Sequence, residues 1–128
     1  MNQLIRETPN LQELQAQGYV CVDPHFHSVS SDGSAHPDDI IARARELGIG
    51  FSLTDHNEID SALMVGRGAS DLLIIPGIEL TTDDTIDFLI YFYSFDDLED
   101  FYRTIVAAAK RPNLGFNMNK TSIPTLRA

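Results

Sequence analysis

Residues 20–33 read Val-Cys-Val-Asp-Pro-His-Phe-His-Ser-Val-Ser-Ser-Asp-Gly. The apolar start predicts a β-strand, and the Ser-Asp-Gly end predicts a turn. Because residues two apart on a strand point to the same side, Asp23, His25 and His27 are expected to project together from the strand end. Two imidazoles beside carboxylates are a common way to bind a divalent metal ion. A pair of surface histidines beside an ordinary turn is the alternative at this point.

The composition is that of a soluble globular protein. The chain has 128 residues, of which 43% are hydrophobic and 22% charged, and its net charge is −10; these values predict a single domain over residues 1–128. The acidic balance argues against an extended nucleic-acid surface, and no apolar run is long enough to span a membrane. Cys21 is the only cysteine and the N-terminus does not resemble a signal peptide, so we expect a cytoplasmic protein.

Strands and helices alternate along the chain, which predicts an α/β fold. The predicted elements are a helical lead over 1–18, a strand over 19–26, a helix over 37–47, a strand over 50–54, a helix over 58–65 interrupted by the glycines at 66 and 68, a strand over 72–75 continuing to Glu79, a strand over 85–92 and a helix over 96–110. Residues 19–111 therefore form βα units, and 112–128 an irregular tail. Such alternation implies parallel strands joined by right-handed crossovers, with sites at the carboxyl ends of the strands.

Two apolar patterns predict burial in this arrangement. The run Leu72–Ile75 is fully apolar, which is typical of a strand buried on both faces. The last helix is expected to turn one stripe of apolar residues inward: Leu98, Phe101, Ile105, Val106 and Ala109.

Polar side chains gather where the predicted strands end. His25 and His27 end the first strand, Asp55 and His56 the second, and Glu79 the third. A shared place at one end of a parallel sheet is hard to obtain by chance. The pattern therefore favours a metal site over a purely structural explanation.

Three motifs resemble those of the PHP domain family, the polymerase and histidinol phosphatase domains. They are Asp23-x-His25-x-His27-Ser28-x-x-Ser31-Asp32-Gly33, Thr54-Asp55-His56-Asn57 and Pro76-Gly77-Ile78-Glu79-Leu80. The resemblance covers about Tyr19 to Phe92. It implies the N-terminal half of a distorted βα-barrel that binds two or three divalent ions (Zn, Mn, Fe or Mg) and hydrolyses phosphate esters.

The resemblance also implies roles for individual residues. The implied metal ligands are His25, His27, Asp32, His56, Glu79 and Asp87, with Glu79 bridging two ions. Catalysis is assigned to Asp55, His56 and Glu79, and Asp23 and Asp55 are expected to orient the histidines. Two neighbouring ions lower the pKa of a shared water, so a metal-bound hydroxide attacks the phosphate. Ser28 and Ser31 then serve as turn and hydrogen-bonding residues.

The chain departs from the family pattern in two ways. Asp87 stands where the family often has a histidine, and it is either a carboxylate ligand in place of that histidine or a polar residue at the entry of a strand. No histidine follows His56, although the family uses ligands from later strands. A full barrel of this type needs about 200 residues or more. The chain is then either a fragment or a half-domain that covers its open sheet edge by forming a homo-oligomer.

Three functions stay open from the sequence. The first is a metal-dependent phosphoesterase acting on a small phosphorylated molecule or a nucleotide end. The second is a catalytically silent metal-binding scaffold, which the missing later ligands favour. The third is a metal-dependent amidohydrolase, because that superfamily also carries His-x-His on its first barrel strand.

Overall fold

The computed structural model describes residues 7–82 and 86–109, together with the backbone pairing of residues 111–112 with 121–122. The elements are α1 (Leu11–Ala16), β1 (Val22–Phe26), α2 (Pro37–Leu47), β2 (Gly50–Leu53), α3 (Asp60–Gly68), β3 (Gly77–Thr81), β4 (Asp87–Tyr91), α4 (Phe95–Phe101), a π-helical turn (Tyr102–Val106), α5 (Ala107–Ala109), β5 (Arg111–Pro112) and β6 (Thr121–Ser122). In this part of the chain, every helix is too short or too polar to cross a membrane.

Backbone pairing places the first four strands side by side in chain order. β1 is parallel to β2, and the bridges Phe51–Ile74 and His56–Glu79 continue parallel pairing from β2 to the chain of β3. The carboxyl ends of β1, β2 and β3 therefore lie at one edge, where the predicted site residues are. The mixed α/β class predicted from the sequence is confirmed.

The fourth strand runs the other way. β4 is antiparallel to β3, with Gly77 opposite Tyr91 and Thr81 opposite Asp87. The expectation that all strands are parallel is wrong here, because residues 82–86 are too few for a crossover and suffice only for a hairpin. The hairpin brings Asp87 beside the end of β3.

Helix α2 begins and ends where the sequence predicts. Pro37 occupies the first turn with Asp38 and Asp39, and Gly48 caps the end in the left-handed conformation with φ of 65°. Its buried face packs into the core, which consists of Ile40, Ile41, Ala44, Phe51, Leu53, Ile59, Ala62, Val65, Ala69, Ile78, Leu98 and Val106. This core supports the sheet from its helical side.

Helix α3 is longer than predicted. It runs from Asp60 to Gly68 and passes through Gly66, where the sequence predicts an interruption. A Cβ atom at Gly66 would lie 2.3 Å from Cζ of Phe95. The glycine is therefore a packing residue that lets α4 approach α3, and it does not end the helix.

The apolar run before β3 is not a strand buried on both faces. Leu72–Ile75 contributes only a bridge at Ile74, the regular strand starts at Gly77, and the Leu73 side chain is 52% exposed. Pro76, which has no N–H group to donate, lies between this bridge and β3. The prediction from hydrophobicity was wrong for this segment.

The last helical region contains a change of register. Leu98 and Val106 are fully buried as predicted, but Ile105 is 44% exposed. The π-helical turn Tyr102–Val106 inserts an extra residue and rotates the buried face. A regular α-helical period of 3.6 residues therefore predicts that Ile105 faces the core, whereas its side chain lies on the exposed face of the helix.

Several predicted element boundaries differ from the observed ones, and others lie outside the described residues. β1 starts at Val22 and not at residue 19, where Tyr19 and Val20 are exposed. The start of the helical lead, Thr85, Lys110 and most of the predicted tail lie outside the described residues. Within that tail, Arg111–Pro112 pairs antiparallel with Thr121–Ser122.

Candidate metal centre

The end of β1 presents two histidines to one cavity. The Nε2 atoms of His25 and His27 lie 3.0 Å apart, and their ring centroids 5.1 Å apart. The His25 side chain is 42% exposed and that of His27 17%. Asp23 contacts the backbone and not a ring, since its Oδ1 accepts a hydrogen bond of 3.3 Å from the N–H of His25.

A buried carboxylate fixes the loop that follows β1. Asp55 is 1% exposed and accepts hydrogen bonds from the backbone N–H of Ser28 (2.7 Å), the hydroxyl of Ser28 (2.6 Å) and the hydroxyl of Ser31 (2.6 Å). Ser31 Oγ is also 3.4 Å from Nδ1 of His27. Ser28 and Ser31 are hydrogen-bonding residues, as predicted. The hydroxyl of Ser31 lies between the carboxylate of Asp55 and the ring of His27.

The end of β2 places a third histidine in the interior. His56 is buried, and its Nδ1 lies 2.7 Å from Oγ1 of Thr81. The next residue, Asn57, has a left-handed backbone with φ of 48°, which asparagine tolerates better than most residues. Its side chain binds both backbone groups of Thr81, at 2.9 and 3.0 Å. These bonds fix Thr81 against the imidazole of His56.

The three histidines meet at a single carboxylate oxygen. Glu79, on β3, is buried, and its Oε2 lies 3.2 Å from Nε2 of His25, 2.9 Å from Nε2 of His27 and 3.4 Å from Nε2 of His56. Donor atoms that share a cation at about 2.0–2.1 Å lie about 3.0–3.4 Å from one another. The spacing around Glu79 therefore fits donors arranged about a common cation.

Two further carboxylates border the same group. Asp32 lies between two histidines, with Oδ1 2.8 Å from Nδ1 of His27 and Oδ2 3.4 Å from Nε2 of His56. Asp87 is less closely engaged, with Oδ1 4.0 Å from Nδ1 of His56 and a side chain that is 36% exposed. Three overlapping sets have the spacing of metal ligands: His25–His27–Glu79, His27–Asp32–His56 and His56–Glu79–Asp87.

All six residues predicted to bind metal line one open cavity of about 560 Å³: His25, His27, Asp32, His56, Glu79 and Asp87. Of the predicted catalytic residues, His56 and Glu79 reach this cavity, whereas Asp55 is enclosed by the serine loop. None of the described residues that line it is a lysine or an arginine. Imidazole nitrogens and carboxylate oxygens are a donor set suited to divalent ions.

Sequence reasoning missed Thr81 and Tyr91. Thr81 follows Glu79 by two residues on β3, and Tyr91 lies on β4 in register with Gly77. Alternation along a strand places both on the face that carries Glu79. The spacing of Glu79 and Thr81 can be read from the sequence. The position of Tyr91 depends in addition on the antiparallel direction of β4.

The family of the chain follows from comparison with known proteins. A model of the PHP domain matches residues 23–125, which include every proposed site residue. The chain belongs to the PHP domain family. A search among curated proteins gave no match.

Two solved structures share the fold of this PHP chain. One is from Bifidobacterium adolescentis and is a proposed metal-dependent phosphoesterase; it is 26% identical, with a TM-score of 0.51, over 70% of this chain and 34% of that one. The other is an amidohydrolase from Chromobacterium violaceum with bound sulfate and no metal; it is 24% identical, with a TM-score of 0.51, over 66% of this chain and 32% of that one. The chain spans about a third of the length of each.

Proposed function

We propose that this chain forms a divalent-metal centre of a phosphoesterase, acting on a small phosphorylated molecule or a nucleotide end. The observation that carries the proposal is the convergence of His25, His27 and His56 on one oxygen of Glu79. Membership of the PHP family and similarity to the B. adolescentis protein support phosphate-ester chemistry.

The hydrogen bonds behind the histidines suit them to ligate metal. His27 has Asp32 and Ser31 at its Nδ1, and His56 has Thr81 at its Nδ1. A proton held on Nδ1 leaves the lone pair on Nε2, which is the atom that faces Glu79 in both rings. The residues therefore fit a metal ion on the Glu79 side, without a change of rotamer.

The charge of the cavity lining also supports a site for divalent metal ions. The lining has three carboxylates, and its described residues include no lysine or arginine that could attract a phosphate. Divalent ions bound there would supply the missing positive charge and lower the pKa of a bound water. Glu79 would be the carboxylate shared by such ions, and Asp32 and Asp87 would be further ligands.

The surroundings favour a small substrate. The cavity is open to solvent, and the chain carries a net charge of −10, which repels an extended polyanion. A phosphate on a small molecule or on a nucleotide end requires positive charge only at the cavity itself. We also propose a cytoplasmic location. A chain with a single cysteine has no disulfide of its own, which suits a reducing compartment.

A metal-binding scaffold without turnover is the second candidate. The chain spans about a third of the length of the two similar structures, and no histidine follows His56 in its sequence. Ligands and substrate contacts from later strands are part of the family pattern. A chain with only the ligands described above would bind metal without turning over a phosphate ester.

Metal content of gel-filtered protein tests the centre first. We expect transition-metal ions in the parent chain, lost in the double variant His25→Ala/His27→Ala and retained in His36→Ala. His36 is the matched control because it lies exposed at the start of α2, outside the cavity lining. A parent chain that binds no Mn²⁺, Co²⁺ or Zn²⁺ contradicts the proposal.

Hydrolysis assays on the metal-loaded chain then separate the candidates. Turnover of p-nitrophenyl phosphate or of its diester, lost in the double variant, supports the phosphoesterase. Metal binding without turnover of either ester supports the scaffold. Faster hydrolysis of a cyclic amide than of a phosphate ester would indicate an amidohydrolase.

A further inference from the structure

Strand β1 does not pair evenly with β2. Asp23 pairs with Phe51, and the next pair joins Phe26 to Leu53. β1 therefore takes one more residue than β2 between these pairs, which makes a β-bulge over Pro24 and His25. Bulges redirect the side chains that they carry, and here the redirected side chain is the imidazole of His25.

A tyrosine on β4 reaches this bulge from across the sheet. The hydroxyl of Tyr91 donates a hydrogen bond of 2.8 Å to the carbonyl oxygen of Pro24. β1 and β4 are separated by β2 and β3, so this bond spans two intervening strands. Burial, and then the charges of Glu79 and Asp23, raise the pKa of the Tyr91 phenol. The phenol therefore keeps its proton at neutral pH and acts as a donor.

The path of the Tyr91 ring is kept open by a glycine. Gly77 lies opposite Tyr91 in the β3–β4 pair, and a Cβ atom added there would lie 3.1 Å from Cδ1 of Tyr91 and 2.5 Å from Oγ of Ser52. The 2.5 Å contact is too short to be tolerated, so a side chain at position 77 would displace the serine, and the 3.1 Å contact would also require the Tyr91 ring to shift by a few tenths of an ångström. The third motif of the sequence thus supplies both the ligand Glu79 and the space for Tyr91.

His25 is the histidine of the centre that most needs support from its backbone. Its side chain is 42% exposed, compared with 17% for His27 and 4% for His56. Packing therefore restricts the His25 ring least. Its direction depends on the bulge, which is held by Asp23 at the His25 N–H and by Tyr91 at the Pro24 carbonyl.

We infer that Tyr91 is a positioning residue of the metal centre, which holds the bulge at Pro24 and thereby directs the His25 imidazole toward Glu79. The inference rests on the proposed function, because it assigns His25 to a metal ion. Tyr91 contacts no proposed ligand atom through its hydroxyl, so it acts only through the backbone. Loss of a residue that orients a metal ligand typically lowers metal affinity about 10–100-fold.

Tyr91→Phe removes the hydroxyl and keeps the ring over Gly77. We expect Co²⁺ and Mn²⁺ to bind Tyr91→Phe about tenfold more weakly than the parent, with thermal unfolding of the metal-free protein nearly unchanged. The matched control is Tyr93→Phe, two residues along, where the side chain is fully exposed. Equal metal affinity in Tyr91→Phe and the parent overturns the inference.

A double-mutant cycle shows whether Tyr91 acts through His25. In a His25→Ala background, Tyr91→Phe should cause no further loss of Co²⁺ affinity, because the ring that it positions is gone. In a His56→Ala background the loss caused by Tyr91→Phe should persist. A loss of equal size in both backgrounds would mean a general structural effect and would overturn the inference.

A readout without metal separates this inference from the proposed function. The His25 ring resonances in metal-free protein should shift and broaden in Tyr91→Phe and stay unchanged in Tyr93→Phe. If the parent binds no metal, the proposed function fails, yet these spectra still decide whether Tyr91 directs His25. Unchanged His25 resonances in Tyr91→Phe would overturn the positioning role in either case.

Discussion

Thr81 holds His56 from the side of the ring opposite to Glu79. Its Oγ1 lies 2.7 Å from Nδ1 of His56, while Nε2 of the same ring lies 3.4 Å from Oε2 of Glu79. Both side chains are buried, and Asn57 fixes the backbone of Thr81 through two hydrogen bonds. Where this hydroxyl accepts the proton of Nδ1, the lone pair of Nε2 faces the centre.

Thr81→Val should therefore weaken metal binding. Valine has nearly the same shape and keeps the backbone bonds to Asn57, but it cannot hydrogen-bond to His56. We expect Co²⁺ affinity to fall about tenfold or more, measured by the cobalt absorption spectrum during titration. Thr81→Ser retains the hydroxyl and should bind Co²⁺ like the parent. Parent-like affinity in Thr81→Val would show that the hydroxyl does not set the ring.

Asp55→Asn should destabilise the chain and the centre together. The carboxylate accepts three hydrogen bonds from Ser28 and Ser31, two at Oδ1 and one at Oδ2, and in asparagine an amide nitrogen would replace one of these two acceptor oxygens. Losing charge-assisted bonds at a buried site costs about 2–4 kcal/mol of unfolding free energy. Urea unfolding of the metal-free protein measures the cost.

The control for Asp55 is the exposed Asp60→Asn, at the start of α3. It should change the unfolding free energy by less than about 0.5 kcal/mol. If Asp55→Asn unfolds like Asp60→Asn, the serine network does not hold the loop. A variant that loses metal but keeps its stability would instead place Asp55 at the metal.

Asp87→Asn tests the least engaged of the proposed ligands. The Asp87 carboxylate is 36% exposed and 4.0 Å from Nδ1 of His56, so it can ligate an ion only on the outer side of the centre. We expect the variant to lose the weakest-bound ion and to keep those held by His25, His27 and Glu79. Metal content per chain, compared with exposed Asp96→Asn on α4, reports the difference. Full metal content in Asp87→Asn would remove Asp87 from the ligand set.

Local signals in the sequence were sufficient where a feature depends on neighbours along the chain. Pro37 and Gly48 set the limits of α2 by their backbone preferences alone. The candidate ligands could be grouped because His25, His56 and Glu79 each stand at the end of a strand predicted from the sequence, and parallel strands end at one edge. Neither inference required knowledge of how the strands curve.

Features that depend on the curvature of the sheet were not accessible from the sequence. Tyr91 contacts Pro24 across two intervening strands, and it is placed there because β4 returns antiparallel to β3. The bulge in β1 interrupts the alternation that the sequence predicts from Asp23 to His27. The exposure of Ile105 depends on a π-helical turn, for which the local composition gives no clear signal.

The Arg45–Asp71 pair should make one part of the fold sensitive to acid. Two hydrogen bonds join the guanidinium to the carboxylate, at 2.8 and 2.7 Å, and connect α2 to the segment before β3. The hydrogen bond from Arg45 lowers the pKa of Asp71 from its ordinary 3.8 to about 2. A carboxyl whose folded pKa is depressed adds stability above its unfolded pKa, and this stability is lost as the pH falls toward the folded value.

Arg45→Gln should remove this dependence. An NMR titration of the parent should place the Asp71 pKa near 2, and Arg45→Gln should return it to about 3.8. The difference in unfolding free energy between the two proteins should be present at pH 6 and should shrink as the pH falls below about 4. Arg43→Gln, which breaks the exposed 2.6 Å pair with Glu46 on the same helix, should leave the Asp71 titration unchanged. An ordinary Asp71 pKa in the parent would show that the bidentate pair does not persist in solution.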